Sequence, residues 1–227
     1  MKNAKVNMIS GLTGLKNLGS FNVQYDEIIE RNFKENIIIN YGIIKGEIAS
    51  QEKTTIVFIK VGQDGSIYGY QDKYLQIAKR LNALYNYSVI VASNPSHRTN
   101  PLDCDMEVVS WYCKKSNIFD YQIYYIGQSN GALIGLSFAY MYPKIKRLLL
   151  INSPLMFNFH LIKNGLKNMQ DKNVYIVYGS LDSSIKYTEL LGPLLSDNIK
   201  LQVIEGADHN FAGELNTFME LPISYFK

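Results

Sequence analysis

From about residue 54 onward the chain alternates short, almost wholly apolar runs with longer stretches of helical spacing, and few architectures accommodate that rhythm. The runs are "TTIVFIKV" (54–61), "YSVIVAS" (87–93), "YQIYYI" (121–126), "RLLLINS" (147–153), "NVYIVYG" (173–179) and "KLQVIEG" (200–206). They lack the in-out alternation of a sheet with one wet face, so they read as strands buried on both faces. Segments such as "YQDKYLQIAKRLNALY" and "MEVVSWYCKK" lie between them with helical periodicity. Strand and helix in turn imply a mostly parallel central sheet with helices on both faces. Upstream, "IIINYGIIKGEIA" from Ile37 holds two β-rich runs broken by a glycine, which predicts an N-terminal antiparallel hairpin at the sheet edge. The first 35 or so residues carry no diagnostic pattern.

A chain of 227 residues can bury one sizeable core. No repeat, low-complexity tract or Pro/Gly-rich linker divides it, so a single domain over 1–227 is expected. Its 23 basic and 20 acidic residues are scattered, with no basic run to focus a field on phosphates. Neither nucleic acid nor a membrane surface is indicated as a partner. With no 18-residue apolar run and no leader-like h-region, the expectation is a soluble, cytoplasmic protein. Cys104 and Cys113 fall on one helical segment where their side chains do not meet, which predicts reduced thiols. The acidic "DCD" at 103–105 has no second half to complete a metal site and reads as a solvated helix start, so no metal is expected.

Chemistry concentrates at "YYIGQSNGALIGLSFAYMYP" (124–143), where an apolar strand meets a small-residue helix with Ser129 at the joint. In an open α/β sheet, the loops at the carboxyl ends of the strands gather helix N-termini and backbone N–H groups, and Ser129 occupies such a loop. Gly127 and Gly131 flank it symmetrically, where a sharp turn crowds the backbone and lifts the hydroxyl clear of the sheet. Gly131, Gly135 and Ala139 then recur every four residues, a small-residue stripe that lets the helix lie close to the strands. A glycine turn with a capping serine would share these features, so partners must decide.

A serine hydroxyl attacks only when a base takes its proton, and that base must be held by an acid. Three histidines are present. His97 in "NPSHRTNP" and His160 in "NFHLIKNGL" suit loop and helix positions, whereas His209 in "EGADHNF" stands just past the last buried strand, at the same sheet edge as Ser129. The acid is expected at the end of the strand between them, and "VYGSLDSSI" presents Asp182 there. Asp208 adjoins the base but points away from it along the backbone, and Asp197 sits at the opposite edge.

These three motifs, "GQSNG", "GSLDSSI" and "GADHNF", follow predicted strands in an order that resembles the α/β-hydrolase superfamily, over roughly residues 56–211. The resemblance implies an α/β-hydrolase fold with Ser129 as nucleophile, His209 as general base and then acid, and Asp182 as the group that orients and stabilises the imidazolium. It also implies an oxyanion hole from the backbone N–H of Asn130 and a second N–H in "KVGQDGS", for which Gln63 is the candidate among Gly62, Gln63 and Asp64. Here the chain departs from the family, since Val61-Gly62 replaces the common His-Gly pair.

About twenty residues separate Ser153 from the next strand, room for one helix but no lid domain. Met156, Phe157 and Phe159 there, with Tyr68 and Phe211, are candidates to line an apolar acyl pocket or to fill the core. The reading is a cofactor-free serine hydrolase acting on a small to medium carboxylic ester or thioester. Amide or peptide cleavage by the same triad, and a catalytically silent binding protein on the same fold, remain open; the oligomeric state is not specified.

Overall fold

The computed structural model describes residues 24–33, 37–47, 53–95 and 101–226. Among them, eight strands form one sheet in the order β1-β2-β4-β3-β5-β6-β7-β8. The strands are β1 (Glu27–Phe33), β2 (Ile37–Ile44), β3 (Thr54–Lys60), β4 (Ser88–Ala92), β5 (Tyr121–Gln128), β6 (Ile145–Ile151), β7 (Asn173–Gly179) and β8 (Ile199–Ile204). From β4 through β8 every neighbouring pair is parallel, while β1–β2 and β2–β4 are antiparallel.

The helices are α1 (Lys73–Tyr85), α2 (Pro101–Lys115), α3 (Asn130–Phe138), α4 (Phe159–Lys167) and α5 (Leu215–Tyr225). Alternate side chains of the buried strands feed two cores. Ile56 and Phe58 of β3 join Val109 of α2, Leu136 of α3 and Ile162 of α4 on one face. Val57 and Ile59 pack with Leu75 of α1 and Phe218 of α5 on the other. This double coverage is why the central runs are almost wholly apolar, each buried Ile or Leu contributing roughly 1.5–3 kcal/mol.

The expected hairpin is present but built differently. Residues 37–44 form one uninterrupted strand, and its hairpin partner is the unanticipated β1, with Glu27 opposite Ile43 and Phe33 opposite Ile37. Gly42 does not break the strand. It leaves room for the Tyr25 ring, which a Cβ there would meet at 2.7 Å.

In the acidic segment at 103–105, Asp103 is exposed in the first turn of α2, as a solvated helix start requires, but Asp105 departs from that expectation. Asp105 lies on α2 but is fully buried, not solvated, and pairs with the equally buried Lys60 at 3.0 Å. Tyr41 donates its hydroxyl to the same carboxylate, and Lys60 also donates to the Ser93 carbonyl. The pair ties α2 to the carboxyl ends of β3 and β4. Cys104 and Cys113 both lie on α2 as free thiols, and burial pushes the Cys113 thiol up to about 12. No helix among the described residues is long and apolar enough to cross a membrane.

Candidate active site

Ser129 sits between β5 and α3 with φ 53° and ψ −119°, a conformation that costs a non-glycine residue about 1–3 kcal/mol. The surroundings hold it there. Its N–H donates to the Ile151 carbonyl at the end of β6, and its carbonyl accepts the N–H of Leu133, opening α3. The flanking glycines are demanded by contact. A Cβ on Gly127 would come within 2.6 Å of the Gly131 carbonyl, and one on Gly131 within 2.7 Å of the Val61 carbonyl. The turn is thus wedged between the ends of β3 and β6.

His209 and Asp182 meet this serine. The Ser129 Oγ lies 3.0 Å from His209 Nε2, and His209 Nδ1 lies 2.5 Å from Asp182 Oδ2. The residues come from the loops after β5, β7 and β8, neighbouring parallel strands apart from the intervening β6. Asp182 is buried, and its other oxygen accepts the Ser184 N–H at 2.6 Å, so the carboxylate faces the imidazole in one orientation.

The alternatives separate cleanly. His160 lies exposed on α4, and His97 falls outside the described residues. Asp208 turns its carboxylate onto the N–H groups of Asn210 and Ala212, shaping the loop that carries His209. Asp197 lies exposed in the turn before β8.

Around the serine, a Cβ on Gly62 would approach the Ser129 Cβ at 3.3 Å, which places the 61–65 turn beside the hydroxyl. Gln63 is exposed at the tip of that turn. The Asp64 N–H is directed to the Asn94 carbonyl, 2.7 Å away, and the Gly62 backbone is hydrogen-bonded to the Tyr74 hydroxyl. Asn130 opens α3, where backbone N–H groups point out of the helix end.

Side chains that sequence reasoning missed hold the histidine loop. The His209 carbonyl accepts from both Gln128 Nε2, at 3.2 Å, and Asn152 Nδ2, at 2.9 Å. Asn152 also donates to the Asp208 carbonyl and accepts the Gly179 N–H at the end of β7, so one buried side chain braces the loops of both His209 and Asp182. Tyr74 donates its hydroxyl to Gln128. Lys73 Nζ lies 3.4 Å from the Asn210 carbonyl and 4.4 Å from the centre of the Phe218 ring. Burial lowers its ammonium to about 8.

Of the apolar candidates, Phe211 is fully buried against Phe218 and belongs to the core. Met156 and Phe157, after β6, and Leu181, beside Asp182, are exposed. Between β6 and β7 the chain carries α4 as its helix. Among the described residues no cluster of three or more His, Cys, Asp or Glu side chains could hold a metal ion.

No family model and no curated protein matches the chain. Solved structures do. Est1E from Butyrivibrio proteoclasticus is similar at 17% identity and a TM-score of 0.67, over 88% of this chain and 97% of that one. An α/β serine hydrolase homologue from Coxiella burnetii aligns at 18% identity and 0.64, over 90% and 99%. A serine hydrolase without a lid from Xanthomonas campestris aligns at 14% identity and 0.63, over 87% and 92%. The chain has the α/β-hydrolase fold.

Proposed function

We propose that this protein is a serine hydrolase that cleaves small to medium carboxylic esters or thioesters through an acyl-enzyme. The observation that carries the reading is the continuous path from Ser129 Oγ through His209 to Asp182, at 3.0 and 2.5 Å. His209 Nε2 takes the serine proton as Oγ attacks the substrate carbonyl carbon, and Asp182 fixes the tautomer that leaves Nε2 free to accept. The carbonyl electrons move onto oxygen, where the backbone N–H groups of Asn130 and Gln63 receive the charge. The imidazolium then protonates the leaving alcohol or thiol. Water, activated by the same histidine, releases the acid by the reverse sequence.

No cofactor enters these steps. Exposed Met156, Phe157 and Leu181 supply an apolar flank for the acyl group, and among the described residues the segment between β6 and β7 holds α4 and no inserted lid domain. The hydrolase neighbours are similar in fold, and the Ser129–His209–Asp182 geometry is what supports the reaction.

The test is covalent. A fluorophosphonate probe should label Ser129, located by peptide mapping, and Ser129→Ala should abolish both labelling and turnover of activated short-chain esters. A parallel panel of esters, thioesters and amides of graded length separates esterolysis from amide cleavage by the same residues. Absence of labelling, or labelling that survives Ser129→Ala, would point instead to a silent binding protein.

A further inference from the structure

We propose that Asn94 is a positioning residue that sets the spacing of the oxyanion hole, an inference that rests on the serine-hydrolase reading above. Asn94 follows β4 by two residues and is 2% exposed. Because β4 lies beside β3, with Ala92 opposite Lys60, its side chain emerges next to the 61–65 turn. The side-chain amide nitrogen donates 3.0 Å to the Val61 carbonyl and 3.0 Å to Asn130 Oδ1. Its backbone carbonyl accepts the Asp64 N–H at 2.7 Å, and its backbone N–H donates to the Gly65 carbonyl at 3.3 Å. Gly65 N–H in turn closes onto the Gly62 carbonyl at 3.0 Å.

One residue therefore grips both segments that carry the proposed donors. The Gln63 N–H belongs to an irregular turn outside the ladder that ends at Lys60, and the Asn130 N–H belongs to the first residue of α3. Two donors on separate segments stabilise an oxyanion only if their separation matches the tetrahedral oxygen, and a turn free to drift would forfeit that match. The Asn94 side chain supplies a constraint that spans both segments. Both hydrogens of its amide are committed, one to each side of the hole, and the group is neutral, so it adds no charge beside the developing oxyanion. The chemical step is unchanged: the Oγ–carbon bond forms, the carbonyl π pair moves to oxygen, and the serine proton passes to His209.

The experiment is a double-mutant cycle on the full chain, with Asn94→Ala, Asn130→Ala and the double variant. Each is measured for kcat and KM on an activated ester and for affinity toward a trifluoromethyl ketone, which forms a hemiketal oxyanion on serine. Asn94→Ala is expected to lower kcat about 10- to 100-fold with KM within about 2-fold, and to weaken the ketone in parallel, somewhat less than outright loss of a donor. Asn130→Ala removes only one end of the bridge, keeps the backbone N–H, and should fall in the same direction. The double variant should be no worse than Asn94→Ala alone, since Asn94→Ala already removes the bond that Asn130→Ala breaks.

A folded Asn94→Ala with unchanged kcat and ketone affinity overturns the inference, as does a raised KM at constant kcat or strict additivity of the two variants. Should Asn94→Ala fail to fold, Asn130→Ala decides alone by the same kcat and ketone readouts. Failure of the broader reading looks different: the wild-type protein would neither label at Ser129 nor turn over ester, and the inference would fall with it.

Discussion

Lys73 gives a sharp prediction because a buried ammonium sits beside the histidine loop. It begins α1 and is 3% exposed, over the faces of Phe218 and Tyr74, with one carbonyl contact at 3.4 Å. Burial lowers its pKa from the ordinary 10.5 to about 8, with Asp208 opposing the shift. Below pH 8 both folded and unfolded chains hold the proton, and the fold bears the whole cost of desolvating the charge. Between about 8 and 10.5 the folded chain releases the proton while the unfolded chain keeps it, so this group adds stability as pH rises. A difference of about 2.5 units at 1.36 kcal/mol each sets the swing at about 3 kcal/mol.

The perturbation is Lys73→Met, which keeps the apolar stem and removes the titration. Urea melts of both proteins at pH 7, 8, 9 and 10 give the stability gap at each pH, and groups common to both cancel. The variant should be favoured most at pH 7, less whatever the ring and carbonyl contacts contribute, and its advantage should shrink by about 2.5 kcal/mol by pH 10, most of the full swing. Lost contacts displace the gap equally at every pH, so only its slope reports the lysine. A gap that stays flat from pH 7 to 10 would refute the reasoning.

Two further outcomes follow from buried carboxylates. Asp182→Asn should fold normally by circular dichroism yet lose about three to four orders of magnitude in kcat on an activated ester, because an amide favours the wrong imidazole tautomer; Asp208→Asn, which keeps the Oδ1 acceptor for Asn210 and Ala212, and Asp197→Asn should retain most activity. Lys60→Met should destabilise by about 3–5 kcal/mol in denaturant melts by leaving Asp105 charged and buried, and pairing it with Asp105→Leu should recover most of that loss.

The central strands were legible because burial on both faces writes an unbroken apolar run. β1 was not, for a physical reason. Its two faces mix apolar and charged residues: Ile28, Glu30 and Asn32 face solvent, while on the covered side Ile29 and Phe33 pack on the core but Glu27 pairs with Lys45 and Lys115, and Arg31 lies over Trp111. A strand whose covered face alternates core contacts with ion pairs and a cation–π contact, and whose exposed face begins with an isoleucine, carries no clear binary pattern. Asp105 misled for the converse reason, since an acidic residue at a helix start looks solvated until Lys60, 45 positions earlier, is brought to meet it.

The same contrast runs through the site. Ser129, Asp182 and His209 could be located because each follows a strand end, and parallel topology carries strand ends to one edge. Asn94, Asn152 and Gln128 gave no such signal, since asparagine is an ordinary turn residue and most of their partners are backbone carbonyls, which every sequence has. The trace they leave is positional: "VASN" and "LLLINS" each close a fully apolar run with an asparagine that the fold then buries. Under the proposed mechanism, their chemistry explains why amides serve there. A lysine or arginine against the His209 carbonyl would oppose formation of the imidazolium, and a carboxylate beside Asn130 would repel an oxyanion. Neutral amides fix the loops through directed bonds without biasing either charge. Lys73, the charged exception, contacts the next carbonyl along, at Asn210, and its pKa is lowered by burial, with Asp208 opposing the shift.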